Sequence, residues 1–201
     1  MKLSKKYDII VVLKKEAVFL KRIYILLSRT GTAPSKMIYF FTRKQFTHAS
    51  ISLVPQTDCF YSYARRRLHN CFIAGLVREN VHTEVFKMFE NGECSLYSLE
   101  VSDESYDKIA ELIKHYWNRY DKCTYKFSGM IPMWLGIKQN LKYKMTCSQF
   151  VATLIEKSNA YVLPKHPSLM HPTDFLQIKE MTLLYTGKIK DCHFPCINKD
   201  S

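Results

Sequence analysis

Two periodicities divide the chain. Phe46-Thr-His-Ala-Ser-Ile-Ser-Leu53 alternates with period two: Ala49, Ile51 and Leu53 share one side, and His48, Ser50 and Ser52 the other. That is the pattern of a half-buried strand. Ile23-Tyr-Ile-Leu-Leu27 is a continuous apolar run, as a strand buried on both faces requires. Tyr7 to Leu13, rich in β-branched residues, reads as a first strand or as the lead-in to that run. Pro34 can open a short helix through about Phe41. After the turn Pro55-Gln-Thr-Asp58, Cys59 to Ala64 predicts an antiparallel return strand, and Arg65 to Asn70 a polar, basic loop. Cys71 to Val77 reads as extended, Val81 to Phe89 fits either a short helix or a strand, and Cys94 to Val101 alternates again after Asn91-Gly92.

The second half carries the helical period. Ser102, followed by Asp103 and Glu104, starts a helix whose apolar stripe is Tyr106, Ile109, Ala110, Ile113, Tyr116, Trp117 and Tyr120. Phe127 to Gly136 is a connection that could pass over a site. Thr146 stands three residues before Gln149 and ahead of an apolar run, the capping-box signature of a helix start, and this helix is predicted to reach about Ser158. Pro164 to Pro172 reads as loop, Thr173-Asp174 as the cap of a short helix, and Thr182 to Thr186 as a last strand. A sheet of mostly antiparallel strands followed by helices predicts an α+β fold, with residues 1–201 as a single domain.

Composition narrows the class. With 201 residues, 47% apolar and 24% charged, the chain is globular in type, and it contains no repeat or low-complexity stretch. The net charge of +12 favours anionic partners, although scattered Lys and Arg pairs also simply keep a surface solvated. Nucleic acid is not expected as the main partner, because no predicted helix has a continuous basic face. A basic nucleic-acid- or anion-binding module remains the alternative to an enzyme, together with a catalytically silent interaction domain. The apolar run Ile9–Leu13 is too short for a secretory h-region, and no stretch is long enough to cross a bilayer. The seven cysteines show no disulfide framework. The expectation is free thiols and a cytoplasmic location. Asp191-Cys-His-Phe-Pro-Cys196 holds part of a zinc set but no second ligand pair follows, so neither a metal nor a cofactor is expected.

The capped helix supplies the candidate chemistry. Cys147 falls in its first turn, where unpaired N–H groups and the helix dipole favour a thiolate. The same residue continues the i, i+3, i+4, i+7 series with Phe150, Val151 and Leu154, so an inert core cysteine is the competing reading. A cysteine nucleophile needs a base. Of the histidines at 48, 69, 82, 115, 166, 171 and 193, His48 is best placed, on the polar side of a well-patterned strand. Alone it would read as a solvent-facing strand histidine.

Thr47-His-Ala-Ser-Ile51 followed by Thr146-Cys-Ser-Gln-Phe-Val151 resembles the permuted NlpC-type papain-like cysteine hydrolases, which include the YiiX-like proteins and, more distantly, the lecithin–retinol acyltransferase-like proteins. There too the histidine strand precedes the cysteine helix. Pro172-Thr-Asp-Phe175 echoes an element that follows the helix in that group, and the likeness spans roughly Tyr24 to Tyr185. The resemblance implies a circularly permuted papain-like fold and a Cys147–His48 dyad completed by a polar residue on the strand after the histidine. Ser62 is the candidate there, with Asp58 in reserve. It further implies covalent acyl transfer from an amide, ester or thioester, so a small-molecule, lipid or peptide substrate. The N–H of Cys147 is the expected oxyanion donor, and Tyr143 a conceivable side-chain one. Arg65, Arg66 and Arg67, directly after the strand of Ser62, suggest that the substrate is acidic or phosphate-bearing.

Overall fold

In a computed structural model of the chain, the described residues are 20–29, 45–67, 70–89, 91–126, 128, 132–133, 135–139 and 141–194. The strand predicted at Tyr7 to Leu13 and the short helix opened by Pro34 lie outside them. The strands are β1 (Leu20–Arg29), β2 (His48–Ser52), β3 (Phe60–Arg67), β4 (Asn70–Glu79), β5 (Glu93–Ser102), β6 (Thr124–Tyr125), β7 (Lys144–Met145) and β8 (Thr182–Lys188). They form one sheet in the order β7-β6-β4-β3-β2-β1-β5-β8. Neighbours run antiparallel except for β6 and β7, which are parallel. The principal helices described are α1 (Glu84–Met88), α2 (Asp103–Trp117) and α3 (Cys147–Lys157). The architecture is mixed α and β, a large open sheet with few helices, consistent with the predicted α+β class.

The sheet is covered on both faces. Ile23, Ile25, Leu27, Ala49, Ile51 and Tyr63 pack against Ile109 and Ile113 of α2 and Phe150, Val151 and Leu154 of α3. Tyr24, Leu26, Phe60 and Leu96 pack on the other side against Val81, Phe86 and Ile189. The polar side of β2 therefore differs from the half-solvated face its alternation predicts: Ser50 and Ser52 are 0% exposed. The segment that read as either helix or strand is the reason, since it forms α1 and lays Phe86 over that side.

The helix starts follow the sequence signals. The Ser102 hydroxyl accepts the Ser105 N–H at 3.1 Å, with Asp103 and Glu104 at the positive end of α2. The Thr146 hydroxyl accepts the Gln149 N–H at 3.2 Å and opens α3. From Cys147 to Ile155 every residue of α3 is buried, so this helix is a central element rather than an amphipathic surface one.

The three arginines depart from the expectation of a substrate-binding loop. Arg65 to Arg67 continue β3, with an irregularity in its pairing to β4 between Arg65 and Arg67. Arg66 Nη2 donates to the carbonyls of Tyr120 and Cys123, the latter at 2.7 Å, and its guanidinium carbon lies 3.7 Å from the centroid of the Tyr120 ring. These bonds satisfy carbonyls where the chain turns from α2 into β6. Arg66 is a structural clasp, not a substrate ligand. Gly75 completes it: a Cβ there would lie 2.0 Å from the Cys123 carbonyl oxygen, so the backbone approach tolerates no side chain. Arg66→Met should cost about 2–3 kcal/mol, the loss of charge-assisted bonds to buried carbonyls. Arg67→Met, at an exposed position, should stay within about 0.5 kcal/mol. Urea denaturation midpoints of the two variants check the contrast.

Candidate active site

The site lies where β2 and β3 diverge. The register between these strands includes Ile51↔Tyr61. Nearer the start of β2, the Ala49 carbonyl accepts instead from the Ser62 hydroxyl, at 2.7 Å. The Ala49 N–H is directed at the Cys147 sulfur. The first turn of α3 thus reaches the edge of β2 in the opening between the two strands, and Ser62 satisfies the carbonyl that the divergence leaves behind.

Cys147 and His48 meet in this opening, close enough that each shifts the ionisation of the other. Burial acts to raise the Cys147 pKa, but the bond to His48, the imidazolium charge and the N–H groups of Ala49 and Ser148 outweigh it, and the thiol is held below its ordinary value. Burial acts to lower the His48 pKa. The Glu79 carboxylate and the Cys147 sulfur outweigh it and hold the imidazole well above its ordinary value. Both directions favour the thiolate–imidazolium pair.

The third member is Glu79, at the end of β4. Its Oε1 and Oε2 lie 2.9 and 3.1 Å from His48 Nε2, with the two side chains only 16% and 10% exposed. With Nε2 held by the carboxylate, Nδ1 is the ring nitrogen left to face the thiol. β3 stands between β4 and β2 in the sheet, so Glu79 must reach across it. Ser62 on β3 and Ser50 on β2 are both fully buried. Phe86 of α1 flanks the imidazole, with ring centroids 6.3 Å apart.

The role predicted for Ser62 is therefore corrected. Its hydroxyl proton goes to Ala49 rather than to His48, and Glu79 supplies the acceptor. Asp58 does not fill that role either: it is half exposed just ahead of β3, with its carboxylate oxygen 3.9 Å from Arg78. The expectation for Tyr143 is corrected too. Its ring packs 6.3 Å from Tyr116 and 6.4 Å from His115. Tyr125 takes the place beside the sulfur. β6 pairs in parallel with β7, Tyr125 beside Met145, which delivers the phenol to the residue pair just ahead of α3. Burial and the negative sulfur, to which Tyr125 hydrogen-bonds, push its pKa well up and keep it an O–H donor.

The segment after α3 braces both partners. Ser148 Oγ donates to the Met170 carbonyl at 2.6 Å. Thr173, in the 3-10 turn Pro172–Gln177, exchanges two hydrogen bonds of 3.4 Å with the backbone of Phe46, two residues before His48. Asp174 accepts the His171 N–H at 2.8 Å and Lys165 Nζ at 3.0 Å. The Pro172–Phe175 element thus links the cysteine helix to the lead of the histidine strand.

Among the described residues no group of three or more His, Cys, Asp or Glu side chains could hold a metal ion. Cys192 of the Asp191–Cys196 motif is a buried free thiol beside Cys94 of β5, while Cys196 lies outside the described residues. No helix among the described residues is long and apolar enough to cross a membrane. No protein-family model matches the chain, and no curated protein matches it in sequence.

Proposed function

We propose that the protein is a cysteine hydrolase or acyltransferase of the permuted papain-like type, with Cys147 as nucleophile, His48 as acid and base, and Glu79 as the residue that orients His48. The single observation that carries this reading is the buried chain of contacts Cys147–His48–Glu79. It begins in the first turn of a capped helix and ends on a carboxylate bonded to the far nitrogen of the imidazole.

The chemistry follows from the geometry. The Cys147 thiolate attacks a carbonyl carbon, and the sulfur's negative charge passes to the carbonyl oxygen as the C–S bond forms. The N–H of Cys147, in the first turn of α3, and the Tyr125 hydroxyl, already directed at the sulfur, are the donors nearest the developing oxyanion. The His48 imidazolium gives its proton to the leaving nitrogen, oxygen or sulfur. The neutral imidazole then takes a proton from water, or from another acceptor, as that group displaces the acyl unit and restores the thiol pair. Glu79 holds the ring in one orientation throughout. Incubating the protein with a short-chain ester, a thioester and a peptide amide, followed by mass spectrometry, should show one acyl adduct, on Cys147. Absence of that adduct from all three donors, or its appearance on another cysteine, overturns the reading.

A further inference from the structure

Charge is unevenly distributed over the sheet. On the β1–β5 side the cations are neutralised: Lys21 with Asp107, Arg22 with Glu100 and Arg29 with Glu93, each at 2.8 Å. The β3–β4–β6–β7 side is different. Residues 60–78 hold four arginines and residues 122–145 five lysines, and neither segment contains a carboxylate. Among the described residues, Arg67, Lys138, Lys142 and Lys144 take part in no ion pair. The same two segments expose Phe72 (82%), Ile73 (38%), Leu135 (59%), Ile137 (54%) and Leu141 (45%).

The strand registers bring these features to one end of the molecule. β3 and β4 form a hairpin with Arg67 opposite Asn70 at its tip, and Gly75 pairs with Thr124 in antiparallel sense. Continuing from that pair, β6 runs toward the hairpin tip. The parallel β6–β7 pair carries Met145, and so the start of α3 at Cys147, in the same direction. The connection through Ile137 and Lys138 is tied down at the same end, because the Gln139 N–H donates to Ser168 Oγ at 3.0 Å, two residues from the carbonyl that accepts Ser148.

We propose that this end of the protein docks on an anionic lipid bilayer, with Phe72, Ile73 and Ile137 entering the interfacial layer and the surrounding lysines and arginines facing acidic headgroups. Exposed apolar side chains set among unneutralised cations are the signature of interfacial binding. Among the described residues of these segments, the exposed apolar side chains are four aliphatics to one aromatic, which suits acyl chains. A single-stranded nucleic acid would call for a series of stacking rings. The inference concerns the surface alone and does not depend on the acyl-transfer chemistry.

Sedimentation of the full chain with phosphatidylcholine vesicles, with and without about one-third phosphatidylglycerol, tests it in buffered salt. Binding should be at least about tenfold tighter with the anionic lipid. Phe72→Ser with Ile137→Ser should weaken it by at least about tenfold, and Lys138→Gln and Lys142→Gln by about fivefold each, with circular dichroism confirming that each variant is folded. Cys147→Ala should bind like the wild type. No preference for the anionic vesicles, or binding indifferent to the Phe72 and Ile137 changes, overturns the proposal. Tighter binding to a single-stranded oligonucleotide than to vesicles of equal phosphate concentration overturns it as well.

Discussion

His48→Ala is expected to slow acyl transfer from an alkyl ester by roughly 10³-fold or more, while slowing alkylation of Cys147 by iodoacetamide at pH 6 by only about 10- to 100-fold. The two effects differ because the reactions ask different things of the imidazole. Alkylation needs only the thiolate. Without His48, burial is the main influence on Cys147, and a thiol with a pKa of about 9 or above is ionised to about 0.1% or less at pH 6. The loss of thiolate is partly offset, because a thiolate of higher pKa is the stronger nucleophile. Acyl transfer loses the thiolate and, in addition, the acid that protonates the leaving group, worth a further 10²–10⁴-fold. The low exposure of Cys147, 3%, slows the reagent in both proteins and cancels in the ratio. Equal losses in the two reactions would mean that His48 does no more than charge the sulfur.

Glu79→Gln should lower acyl transfer roughly a hundredfold, within the range of up to about 10⁴ seen when an orienting carboxylate becomes an amide. Its more specific mark is on the pH profile. Activity requires the thiolate and the imidazolium together, so it occupies the window between the lowered pKa of Cys147 and the raised pKa of His48. Glu79 is the largest influence raising His48, so the amide should move the alkaline limb to lower pH and narrow the window. Stability gives the same sign. A histidine whose pKa is raised on folding contributes stability that is fully present below about pH 6.5 and is lost as pH rises through the raised value. The destabilisation by Glu79→Gln should therefore be fully present near pH 6.5 and fade at alkaline pH. Denaturation midpoints measured across that range, with Glu79→Ala as the larger truncation, check the trend. A profile that shifts only on its acid limb removes Glu79 from the role of orienting His48.

How much of this could be read from the residues depended on how local each signal is. Cys147 was legible because Thr146 and Gln149 fix a helix start within four residues, and His48 because strand alternation is a short-range pattern. Glu79 was not. It lies 31 residues from His48, at the far end of the second strand along, and it reaches His48 across the intervening β3. Only the sheet order brings the two together, and no spacing encodes that order. Tyr125 escaped for a different reason: β6 is two residues long, too short for any periodicity. Ser62 was identified as the polar residue on the right strand, but a hydroxyl beside a diverging strand pair is claimed by the nearest unpaired carbonyl. Arg66 shows the converse error. A run of three arginines read as a basic loop, but it continues β3 and turns the guanidinium of its middle member onto the carbonyls of Tyr120 and Cys123.

The burial of α3 on all sides separates two kinds of change that evolution could make to this protein. Cys147, its cap and the strand carrying His48 belong to the buried core, where altering even one methylene group is felt. The β3–β4 hairpin tip and the connection through Ile137 and Lys138 lie outside that core, where substitutions typically change stability by no more than about 0.5 kcal/mol. The surface proposed to dock on a bilayer can therefore diverge widely between related sequences while the packing around Cys147 and His48 stays the same.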